Sequence, residues 1–79
     1  MQKYSLEFIL NTQNDITLQT LKSSIFQFGE NLDICLLPTA EVAKEQDFRI
    51  CIHTEDPTII FDTCSQFGRL KSVKVNEIK

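Results

Sequence analysis

The sequence is short of most features that signal a function. It has two glycines, Gly29 and Gly68, and each follows a Gln-Phe pair where a helix stop is expected, so no glycine-rich phosphate loop exists. With only two prolines and an ordinary apolar share of 42%, it is neither collagen-like nor disordered. The longest apolar runs span a few residues, such as Ile59 to Phe61, against about 20 for a membrane span. The opening MQKYSLEF has no apolar h-region and no small-residue cleavage site, which predicts no secretory leader. The three cysteines, Cys35, Cys51 and Cys64, form no CxxC, and their spacings of 16 and 13 residues match no zinc finger. Reduced thiols in a cytoplasm are therefore expected.

Positive charge is also scarce. Eight basic side chains against eleven acidic ones leave a net charge of −3, and only Arg69, Lys71 and Lys74 lie close together. Three cations are a thin footing for counterion release, so nucleic acid is not an expected partner. One histidine with no evident orienting group makes a thiol nucleophile hard to assemble. A chain of 79 residues has room for one domain and one core, with little left for a substrate pocket, so a binding module is the expectation.

Periodicity is the clearest positive signal. Tyr4, Leu6, Phe8 and Leu10 alternate with Ser5, Glu7, Ile9 and Asn11, which predicts a half-buried strand. NTQND reads as a turn with Asp15 as N-cap, and Leu18, Leu21, Ile25 and Phe28 recur at helical spacing up to Gly29. A second strand spans Leu32 to Leu37 and ends at Pro38. Thr39 to Asp47 reads as a long polar connection, and a third strand alternates Phe48, Ile50 and Ile52 with Arg49, Cys51 and His53. Asp56-Pro57 is a strong helix start, followed by a stripe of Ile60, Phe61, Cys64 and Phe67 that Gly68 closes. The last strand runs from Lys71 to Ile78 with Val73 and Val75 inward. Phe26, Phe28, Phe61 and Phe67 are assigned to the core, and Cys35 and Cys64 to packing.

The order βαββαβ predicts an α+β, ferredoxin-like sandwich over residues 1–79. Its four-stranded antiparallel sheet has order 4-1-3-2, with both helices on one face. The other face is then free, and its central strands carry Ser5, Glu7, Ile9, Cys51 and His53, the expected partner-binding residues. Cys51 and His53 leave the same strand on the same side, about 6–7 Å apart. A thiolate and an imidazole at that spacing can share a zinc ion, with Glu7 as a carboxylate donor. The plainer reading of the same pair is a small packed thiol beside a surface histidine.

Three stretches, YSLEF, RICIHTEDP and QFGRLKSVKVNEIK, together resemble the middle domain of the fatty-acid kinase ATP-binding subunit, in the dihydroxyacetone-kinase-like family. That domain opens Tyr-Cys-Thr-Glu-Phe. It continues with a strand of two histidines alternating with hydrophobic residues, then Thr and Asn/Asp-Pro. It closes with Tyr/Phe-Gly-x-Leu and an alternating Ile/Val–Lys strand. ENLDICLL is similar to the family's Gly-Asp-Ser-Leu-Val-Val-Val strand. The resemblance implies a domain set between a nucleotide-binding helical domain and one that engages a fatty-acid-carrying partner. It also implies a part in dimerisation, and zinc on one cysteine and two histidines. By position His53 matches the second histidine, Cys51 stands at the first, and Ser5 stands where the cysteine is expected. The Thr39–Asp47 connection is longer than the family's hairpin, and Thr58 replaces a usual glycine. No nucleotide site of the family's type lies in this sequence.

The leading expectation is thus a non-catalytic module that forms a homodimer or docks against neighbouring kinase-family domains, with zinc as its possible cofactor. The alternative is a small-ligand regulatory module of the ACT type. A thiol enzyme using Cys51, which would require a lowered thiol pKa, ranks last.

Overall fold

The computed structural model describes residues 3–13, 15–38 and 45–78. Strand β1 (Lys3–Gln13) buries Leu6, Phe8, Leu10 and Thr12 and leaves the alternate residues partly exposed, as its period of two requires. Strand β3 (Glu45–Thr54) does the same with Phe48, Ile50, Ile52 and Thr54. Strands β2 (Glu30–Leu37) and β4 (Gly68–Ile78) flank this pair, giving the antiparallel order β2-β3-β1-β4, which is the expected 4-1-3-2 read from the other edge.

Helices α1 (Leu18–Ile25) and α2 (Pro57–Ser65) cover one face, inserting Leu21, Ile25, Ile60 and Cys64 into the core. Phe8 and Phe61 meet edge to face at 5.7 Å, tying β1 to α2. The predicted cap at Asp56 is present: its Oδ1 accepts the Thr58 amide at 3.1 Å, with Pro57 opening the helix. Thr54, buried among apolar neighbours, donates its hydroxyl to the Phe28 carbonyl at 2.8 Å and accepts the Asp56 amide at 3.2 Å, so its polar group is satisfied. Among the described residues no helix is long and apolar enough to cross a membrane.

Several boundaries differ from the sequence reading. The α1 cap is Thr17, whose Oγ1 accepts the Thr20 amide at 3.1 Å. Asp15 lies too early, inside a turn closed by the Ile16 amide on the Gln13 carbonyl at 3.2 Å. Phe28 belongs to a 3-10 turn (Phe26–Phe28) after α1, and Phe26 points outward, 59% exposed, instead of joining the core. Gly29 is extended, with φ −171°, and the left-handed residue is Asn31 at φ 55°. Glycine is needed at position 29 because a Cβ would collide with the His53 carbonyl and the Ile52 side chain. Gly68 opens β4 against the Asn11 carbonyl, which likewise leaves no space for a Cβ. Glu45 to Asp47, expected in the connection, pair with β1, while residues 39–44 of that connection lie outside the described residues.

Val73 and Val75 were expected inward but remain nearly half-exposed, at 46% and 47%. Strands of 10 and 11 residues span about 35 Å, whereas helices of 8 and 9 residues cover about 13 Å, so the edge strand outruns its cover. Cys64 packs as expected, but Cys35 is exposed.

Candidate functional site

The register of the three strand pairs lays the open face out in rows. Ser5 pairs with His53 and Asn76, and Glu7 with Cys51 and Lys74. Ile9 pairs with Arg49 and Lys71, and Asn11 with Asp47 and Arg69. On the outer strand β2, Asp33 pairs with Cys51, Cys35 with Arg49 and Leu37 with Asp47. The five residues assigned from sequence to the uncovered face, Ser5, Glu7, Ile9, Cys51 and His53, are therefore neighbours on the two central strands.

Most residues around them are charged, and several of the charges are paired. Arg49 donates to Glu7 Oε1 at 2.9 Å, Lys74 approaches Glu7 Oε2 at 3.9 Å, and the Cys51 thiol donates to Glu7 Oε1 at 3.8 Å. The Arg49 bond, then its charge, hold the Glu7 carboxyl below the usual carboxylate range. One row further, Asp47 accepts the Asn11 amide at 2.8 Å and faces Lys71 at 3.7 Å. At the other end the Asn31 amide nitrogen lies 3.2 Å from His53 Nδ1, and Lys3 meets Glu30 at 2.9 Å.

Burial pushes the Cys51 thiol up, and the adjacent Glu7 carboxylate adds to the shift. A thiol nucleophile needs the opposite shift, so these surroundings do not favour the thiol-enzyme reading. Cys64, enclosed in the core, is raised further, to about 12.

Sequence reasoning missed Asp33, Asp47, Arg49, Lys71 and Lys74 as members of this face. Arg49 shares the parity of Cys51 and His53 and was within reach. Lys71 and Lys74 were not, because residues three apart in a regular strand face opposite ways. A bulge between the Glu7 and Ile9 pairings, with Ser72 at φ 51°, adds one residue to β4 and turns both lysines to the same side as Arg69. Serine is no customary marker of a positive φ, so nothing in the sequence announces it.

The donor types at Cys51, His53 and Glu7 are those zinc uses, but the resting arrangement is a poor fit. Among the described residues no three His, Cys, Asp or Glu side chains converge on a common point. Glu7 is engaged by two cations that would repel a metal ion, and burial raises the Cys51 thiol pKa.

Residues 1–79 match the family model for the middle domain of FakA-like fatty acid kinase proteins. No curated protein and no solved structure matches the chain. The match takes in all four strands and both helices, and on it the chain belongs to the FakA-like fatty acid kinase middle-domain family.

Proposed function

We propose that this chain is a non-catalytic association module of a fatty-acid-kinase-type protein, and that its uncovered sheet face is the contact surface. The occupant is a second copy or a neighbouring domain of the kinase. The observation that carries the reading is the organisation of that face. Carboxylates and cations are ordered across four strands, around a half-buried centre of Ile9 and Cys51. Solvation alone does not require such order. A cytoplasmic setting belongs to the same reading, since all three thiols are free. Light scattering over rising concentration, with and without the other kinase domains, tests it. Association in either experiment supports the module. Protein that stays monomeric at high micromolar concentration and binds no kinase domain removes it.

A zinc site on Cys51 and His53 is the second reading, favoured by their shared side of β3 and by Glu7 only 3.8 Å from the thiol. It requires Glu7 to leave Arg49 and Cys51 to lose a proton. Elemental analysis of untagged protein, with Cys51→Ser and His53→Ala as controls, decides it: stoichiometric zinc lost in both variants supports the site, and zinc-free protein rejects it. For the ACT-type alternative, an effector would occupy the cleft of about 400 Å³ bordered by Lys3, Phe28, His53 and Ile59. A melting temperature that no amino acid raises counts against that alternative.

A further inference from the structure

The two edges of the sheet are not alike. Strand β4 is guarded: a bulge with Ser72 at φ 51° breaks its line, and Arg69, Lys71 and Lys74 load it with charge. These are devices by which an edge resists the addition of another strand. Strand β2 carries few of them. Its irregularity lies at the start, where Asn31 has φ 55°. From Asp33 to Leu37 its pairing with β3 is regular, and Asp33 is the one charged residue in that stretch. Alternate residues of such a strand direct N–H and C=O outward. Among the described residues, no backbone hydrogen bond from another segment reaches the outer edge of β2.

Beside this bare edge lies a cavity of about 130 Å³, lined by Leu18 and Lys22 of α1 and by Leu32, Asp33 and Ile34 of β2. It has room for one aliphatic side chain. Leu18 and Leu36, 45% and 58% exposed, extend the apolar line along the strand. On the other side of β2 the Asp33 carboxylate meets the Cys35 thiol at 3.8 Å, and among the described residues no ion pair engages it.

We infer that the outer edge of β2 binds an extended segment of another protein as a fifth strand, with a lysine or arginine opposite Asp33 and an aliphatic residue on either side of that cation. This site is the edge of the sheet, not its open face, and it stands whether or not that face associates. The chemistry of the segment follows from alternation. A residue paired with Asp33 turns its side chain to the open side, where a cation meets a free carboxylate. Its two neighbours turn toward the helices and oppose Leu32 and Ile34, where an aliphatic side chain fills the cavity. Lys22 keeps the sides distinct, because its stem lines the cavity while its ammonium repels a cation placed there. A slip of one residue would bring the cation to Lys22 and the aliphatic groups into water, so the register is specified. Main-chain hydrogen bonds then supply affinity, and the cavity and Asp33 supply selectivity.

The test is an NMR titration of the full chain with a capped hexapeptide of alternating valine and lysine, read by shifts and by amide hydrogen exchange. At saturation the outward amides of β2 should exchange at least about tenfold more slowly, with those of β4 unchanged. Alanine for valine in the peptide should weaken binding about tenfold, because the cavity is left unfilled. Asp33→Lys should bind the valine–lysine peptide about tenfold more weakly and prefer a valine–glutamate peptide, a reversal that a misfolded variant cannot give. No binding at about 2 mM peptide overturns the inference, as does slowed exchange confined to β4. Equal binding by a peptide N-methylated at every amide would mean a side-chain site without strand pairing, and overturns it too. So would equal affinity for the lysine and glutamate peptides. Slowed exchange in β2 that appears without peptide as protein concentration rises would make a second copy the occupant, which overturns a foreign segment as the partner.

Discussion

The two faces of one sheet are built from alternate residues of the same strands, yet they follow opposite rules. Toward the helices, Leu6, Phe8, Leu10, Phe48, Ile50 and Ile52 are closed to solvent and unpaired with any charge. Toward the open side, Glu7, Arg49, Asp47 and Lys71 pair off at 2.9 to 3.7 Å while staying at least partly wet. The first face is held by removal of apolar surface from water, which is strong and tolerates no polar intrusion. The second is held by exposed ion pairs, each of little net value because water solvates the separated partners nearly as well. The stabilising core and the proposed association surface therefore lie one residue apart in the chain.

Phe8 and Ile9 offer the widest test of that separation. Phe8→Ala removes a ring packed against Phe61 and should cost about 3–5 kcal/mol in urea denaturation, most of the stability expected of so small a domain. Ile9→Ala, on the other face, should cost less than about 1 kcal/mol. Equal costs would mean that the open face is as much a core as the covered one.

The thiols separate the faces next. Alkylation at mildly alkaline pH, read by peptide mass spectrometry, should modify exposed Cys35 first and Cys51 more slowly. Cys64 should react only on unfolding. Cys51 reacting ahead of Cys35 would reverse the order that burial and Glu7 impose.

The smallest expected effect is at Glu7, whose folded pKa lies below the ordinary 4.5. Its ion pair therefore adds stability above that value and loses it as pH falls through the lowered pKa. Glu7→Gln should leave the melting temperature at pH 7 nearly unchanged and make its decline on the acid side shallower. An unaltered acid limb would show that Arg49 gains nothing from Glu7 in solution.

Much of the architecture was legible because it depends on local rules. Alternation in Tyr4–Asn11 and Phe48–His53 located the two central strands and assigned their faces, and Asp56-Pro57 marked a helix start that the fold retains. The errors arise where a distant neighbour decides. Gly29 and Gly68 each follow a Gln-Phe pair and read as left-handed helix stops. Both are instead sites where another strand's backbone comes too close for a Cβ. Phe26 lies one residue beyond α1, where the tightened turn swings it outward. For the candidate site, the central residues were found by parity, but the outer cations were hidden by a bulge no residue type advertises.

By itself the sequence determined which residues of the two central strands face the core, because a period of two leaves each side chain only two directions, and burial selects one of them. It also determined the family, through motifs carried along the chain. Only the tertiary structure decided that Asp33 and Lys74 end one row and that Lys71 and Lys74 share a side. Those relations depend on inter-strand register and on one extra residue in an edge strand, and both are set by pairing between segments far apart in the chain.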